Sequence, residues 1–95
     1  MRQGGWVYIL ANRAFGTLYI GVTANLPDRL EAHRRSGPET FAGRYRVNRL
    51  VHAEWHDDIA TALQRETSLK RWKRQWKIDL ITAANPLWED RSGSL

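Results

Sequence analysis

Two short apolar runs, residues 6–11 and 17–22, flank the turn-like stretch Asn12-Arg13-Ala14-Phe15-Gly16. Runs of this kind around a Gly-ended link predict a β-hairpin with a loop of about four residues. A loop over residues 13–16 sets the register, so that Leu10 faces Tyr19 and Tyr8 faces Gly21. The two tyrosines then share one face, diagonal to each other. Gly21 beside Tyr8 leaves a notch where a ligand or backbone can approach closely.

Downstream, Asn25-Leu26-Pro27-Asp28 starts a helix. Asn25 caps it, Pro27 is tolerated in the first turn, and Asp28 suits the helix dipole. The helix should run to about Ser36 and stop at Gly37-Pro38. Residues 37–46 read as a loop, and residues 50–55 as a third strand. Asp57-Asp58 caps a second helix reaching about Trp72. A third starts at Lys73 or Gln75 and ends at Ala84, ahead of Pro86. Leu87-Trp88 should fold back on the body, and residues 91–95 should form a frayed tail. The order β-β-α-β-α-α is an α+β domain, a small three-stranded antiparallel sheet flanked by helices. With 95 residues, a single domain over 1–95, with its core over about 5–90, is expected.

The chain has no cysteine. That excludes a disulfide scaffold, a zinc–cysteine site and a cysteine nucleophile, and fits a cytoplasmic location. No apolar run approaches membrane-spanning length, and the first residues lead into a strand-like run rather than a signal-peptide core. The net charge of +5 favours polyanionic partners, above all nucleic acid.

Several residues could carry chemistry. Arg29 and His33, four apart, project from one helix face. Arg29 can clamp a phosphate with two hydrogen bonds, and His33 can donate to it or move a proton. A solvated charged face is the bland alternative. Glu66 lies in the middle of the apolar stripe Ile59, Ala62, Leu63 and Leu69. A carboxylate there needs an arginine partner or a metal. Magnesium suits it, because that ion takes one or two carboxylates and completes its shell with water and phosphate. Arg34, Arg35, Arg44 and Arg46, with Arg65, Lys70, Arg71, Lys73, Arg74 and Lys77, form a candidate nucleic-acid surface. Trp72 and Trp76 continue a helical stripe and are assigned mostly to the core. His52, Glu54 and His56 alternate on the third strand, as a solvent-facing polar row more than a metal site.

In this order the pieces resemble the GIY-YIG nuclease superfamily over about residues 5–90. Trp6-Val7-Tyr8 stands at the first signature, with Trp6 where the pattern has Gly, and Tyr19-Ile20-Gly21 at the second. Arg29, His33 and Glu66 fall at the positions of the family's arginine, His or Tyr, and metal-binding glutamate. The small stand-alone bacterial members are similar at residues 7–10, 18–23, 65–72 and 85–88. Some catalytic members have a cation after the second signature, where this chain has Val22.

The resemblance implies a metal-dependent endonuclease that hydrolyses phosphodiester bonds, with a role in DNA repair or processing. Tyr8, Tyr19, Arg29, His33 and Glu66 would be catalytic. Glu66 would hold Mg2+ or Mn2+, and Tyr19 would be the general base, with Tyr8 beside it. DNA is expected ahead of RNA, with a protein partner supplying targeting. The alternatives are a nucleic-acid-binding module with weak catalysis, suggested by Trp6 and Val22, and a protein-interaction domain with a basic face.

Overall fold

The structure, a computed structural model, describes residues 4–35, 37, 39–40 and 44–94. Strand β1 spans Gly5–Ala11, β2 Leu18–Thr23 and β3 Arg49–His56. Helix α1 spans Leu26–Arg34, α2 Ile59–Arg71 and α3 Arg74–Ala84. The fold is α+β, in the expected order β-β-α-β-α-α. The sheet is antiparallel with β1 in the centre, in the order β2-β1-β3. Among the described residues, no helix is long and apolar enough to cross a membrane.

The hairpin register is the expected one, with Tyr8 opposite Gly21 and Leu10 opposite Tyr19. Asn12 Oδ1 accepts from the Thr17 amide at 2.9 Å and closes the loop. Phe15, at the tip, has φ 58° and stacks on Trp88, which has φ 54°. Positive φ is costly for such residues, and their contact, 4.8 Å between ring centroids, helps hold both. Arg74 donates to the Phe15 and Gly16 carbonyls and ties the tip to α3.

Asn25 caps α1 by accepting from the Asp28 amide, and Asp58 caps α2 by accepting from the Ala60 amide. Helix α1 ends at Arg34 with Arg35 as C-cap. The expected stop at Ser36 and Pro38, and part of the expected loop over 37–46, lie outside the described residues.

Alternation along the strands makes two cores, one on each side of the sheet. Val7, Ile9, Ala11, Ile20 and Val51 pack with Ala62, Leu69, Ile81 and Trp88 on the α2–α3 side. Tyr8, Leu10 and Leu50 pack with Leu26, Leu30 and Val47 on the α1 side. Between Ile9 and Leu10 the pairing with β3 slips, so that Ile9 faces His52 and Leu10 faces Leu50. Val51 is the extra residue, and this bulge changes the phase of β3. It turns His52, Glu54 and His56 toward α2 rather than to solvent, which corrects the expected solvent-facing row.

Two further expectations fail. Leu63 is 47% exposed, outside the apolar stripe of α2. Residues 91–94 are not frayed but docked. The Leu50 amide donates to Asp90 Oδ1 at 3.2 Å, and the Arg91 amide donates to the Leu50 carbonyl at 2.8 Å.

Candidate active site

Tyr8 is fully buried in the sheet, with its ring passing across Gly21 of the edge strand β2. A Cβ on Gly21 would collide with the Tyr8 hydroxyl and Cζ. Glycine at this position is therefore a packing requirement: the missing side chain lets the phenol reach the edge of the sheet. There its hydroxyl lies 3.0 Å from His33 Nε2.

Helix α1 brings His33 and Arg29 to the same place. The His33 ring meets Tyr19 edge-on at 5.0 Å and Tyr8 at 5.9 Å between centroids. The two tyrosine rings are 6.3 Å apart. The Arg29 guanidinium lies near enough to the Tyr8 hydroxyl to act on its charge. Four of the five expected catalytic residues thus converge at one end of the β2 edge.

The electrostatics of this patch keep both Tyr8 and His33 neutral. Burial pushes the Tyr8 phenol up to about 12, with the Tyr19 phenol and the Glu66 carboxylate adding to the rise against the opposing pull of Arg29. Burial and the neighbouring Arg29 charge lower His33 below its ordinary value. A neutral imidazole has one acceptor nitrogen. With both groups neutral, the Tyr8 hydroxyl can donate to His33 Nε2 as that acceptor. Arg29 pulls the Tyr8 phenol down, but burial outweighs that pull.

Glu66 approaches from α2. Its side chain is 17% exposed, and it pairs with Lys70 Nζ at 3.7 Å. Arg65, the expected type of partner for Glu66, bonds Glu54 instead, with Nε and one terminal nitrogen each 3.0 Å from a carboxylate oxygen. Among the described residues, no group of three or more His, Cys, Asp or Glu could hold a metal ion. Glu66 is thus a single hard donor on a half-buried helix face. That suits magnesium shared with a substrate phosphate and waters, and does not suit a cage built by protein alone.

The basic residues divide. Arg34 bonds Ser92 Oγ at 2.7 Å and lies 3.8 Å from Asp90. Arg35 pairs with Glu31 at 2.8 Å, and Arg74 is committed to the hairpin carbonyls. Arg44, Arg46 and Arg71 are exposed. Lys73 sits over the Trp76 ring at 5.5 Å from its centroid. Trp76 is 52% exposed, contrary to its assignment to the core.

Sequence reasoning missed two networks. Glu54 accepts from Arg65 and lies 2.7 Å from His52 Nε2 and 3.2 Å from His56 Nε2. Burial raises this carboxyl, but its hydrogen bonds with His52, Arg65 and His56 outweigh that and hold it well below the usual carboxylate range. Asn85 is the second. It donates to the Val51 and Glu89 carbonyls and accepts from the Glu89 amide and Arg91. The Asn85-Pro86 pair marked a helix end; nothing local marked the four bonds.

Comparison with known proteins adds to this geometry. The GIY-YIG catalytic domain matches residues 4–79. A UPF0213 protein of Syntrophus aciditrophicus is 38% identical over 80 residues, covering 80% of this chain and 87% of that protein. A UPF0213 protein of Staphylococcus aureus is 33% identical over 66 residues, covering 70% and 80%. The solution NMR structure of a UPF0213 protein from Bacillus halodurans is similar at a TM-score of 0.57 and 23% identity, covering 93% of each chain. At that identity the likeness bears on the fold alone.

Proposed function

This chain belongs to the GIY-YIG family, with small bacterial UPF0213 proteins among its relatives, and we propose that it is a metal-dependent endonuclease. The observation that carries the proposal is the convergence of Tyr8, Tyr19, Arg29 and His33 at the β2 edge, with the Glu66 charge reaching Tyr8.

Arg29, beside Tyr8 and His33, offers its forked donors to a phosphate oxygen. Glu66 would hold a magnesium or manganese ion, whose contribution when bound is to neutralise charge on the phosphate and the leaving 3′ oxygen. Tyr8, with its proton held to about 12, is a poor base alone. Fully buried, it has no face open to the attacking water, and its bond to His33 Nε2 serves to orient the imidazole against Tyr19. Tyr19, the candidate base by family position, would take the proton of the attacking water as its own hydroxyl proton passes to solvent.

Nicking of a supercoiled plasmid by purified protein tests the proposal. Conversion to the nicked form in magnesium, stopped by EDTA and lost in Arg29→Ala, is the expected result. Absence of nicking in both magnesium and manganese, with retained salt-dependent binding, would favour a nucleic-acid-binding module. The raised Tyr8 pKa and the cation-free strand β2 favour that second function.

A further inference from the structure

A groove runs along the outer edge of β2, lined by Leu18, Tyr19, Ile20, Lys70 and Lys77. Strand β2 reads Leu18-Tyr19-Ile20-Gly21-Val22-Thr23 and carries no cation of its own. Val22 faces the α2 side and packs into the core there with Leu18. Positive charge in the groove therefore comes from two helices, Lys70 from the last turn of α2 and Lys77 from α3. Lys70 lies beside Glu66, and Lys77 Nζ lies 3.4 Å from the Lys70 carbonyl. That carbonyl belongs to the C-terminal turn of α2, whose partial negative charge favours a cation. Lys77 is thus held with its charge at the groove, and the half-exposed Lys70 lines it beside Glu66. Arg34, Arg35 and Arg74 are committed elsewhere, whereas these two lysines line the groove with Tyr19, and Lys70 lies 3.7 Å from Glu66.

We infer that Lys70 and Lys77 form a two-lysine phosphate cradle that seats the nucleic-acid backbone in the β2-edge groove. The inference rests on the endonuclease reading and names its positioning residues. A phosphate in the groove would meet both ammonium groups, with Tyr19 as its wall. Lys70 would exchange its loose pairing with Glu66 for the phosphate. The Glu66 carboxylate would then face the space beside the same phosphate.

The test measures binding of a fluorescein-labelled 20-base-pair DNA duplex against salt, and plasmid nicking in magnesium, on the same samples. Each phosphate neutralised contributes about 0.9 to the log–log salt slope. Lys70→Met/Lys77→Met should therefore flatten the slope by about 2. It should also raise KM about tenfold or more, while the paired Lys→Arg changes restore most of both. A merely structural role predicts a lower melting temperature with an unchanged slope. If the double variant melts early, Lys70→Met alone should still flatten the slope by about 1. Wild-type nicking with an unchanged slope in the variants overturns the cradle. A wild type that neither nicks nor binds overturns the endonuclease reading beneath it.

Discussion

The Tyr8 hydroxyl lies 3.0 Å from His33 Nε2, and the Tyr8 ring reaches that point across Gly21. A buried strand residue and a helix residue 25 positions later thus share one hydrogen bond because a third residue has no side chain.

Gly21→Ala puts a methyl group into the Tyr8 phenol. Overpacking of this kind costs about 1–3 kcal/mol, read as a lower melting temperature. Tyr8→Ala in the same chain removes the obstacle. The double variant should be less destabilised than the sum of the singles. Strict additivity would mean that the two positions do not press on each other.

Glu66→Gln should reduce nicking about a thousandfold. A metal contributes several kcal/mol, and each ~1.4 kcal/mol is tenfold in rate. The melting temperature should change little, because the Lys70 pairing it removes is long and half exposed, and such pairs contribute about 0–1 kcal/mol. A large fall in melting temperature with unchanged nicking would make Glu66 a structural residue.

Glu54→Gln should do the opposite. It leaves Arg65, His52 and His56 around a neutral amide on a side chain only 19% exposed. Breaking a part-buried charge network of this kind costs about 2–4 kcal/mol. At roughly 4–8 °C per kcal/mol for a domain of this size, melting should fall by about 10 °C or more. The Glu54 pKa is depressed in the fold, so its stabilisation is present at neutral pH. It is lost as pH falls below the ordinary glutamate range, near about 4.3.

Melting should also respond to pH at His33 and Tyr8, in opposite senses. His33 is lowered in the fold, so just below about 6.5 the unfolded chain binds the extra proton. Stability therefore falls as pH drops into that window, and His33→Gln should remove this part of the slope. Tyr8 is raised to about 12 in the fold, against about 10 unfolded. Its contribution is full below about 10 and is lost as pH rises toward about 12. Tyr8→Phe should flatten the alkaline limb in circular dichroism melts.

The hairpin and helix starts were legible because their causes are local. Loop length and a period of two fixed Tyr8 against Gly21, and Asn25 and Asp58 cap within three residues of their own positions. The convergence of Tyr8, Tyr19, Arg29 and His33 was legible only through family resemblance, since nothing local aims α1 at the β2 edge. The Glu54 network was hidden by the Val51 bulge, which reverses the faces of β3 without a glycine or proline to announce it. A row of His, Glu and His reads alike whether water or an arginine 11 residues away faces it. Trp76 was misplaced because helical spacing groups it with Trp72, while α3 turns Ile78 and Ile81 to the core and leaves Trp76 half exposed.

The match to the GIY-YIG catalytic domain ends at residue 79, yet Trp88 is fully buried and Asn85 is nearly so. Residues 90 and 91 bond both polar groups of Leu50 on β3. The portable unit is therefore longer than its signature. A splice made at residue 79 would carry every candidate catalytic side chain into a new host and leave behind the tryptophan and the clasp that close the α2–α3 side. The cut fragment would expose apolar surface and a bare strand end, the features that make a transplanted module stick to its neighbours before it can work.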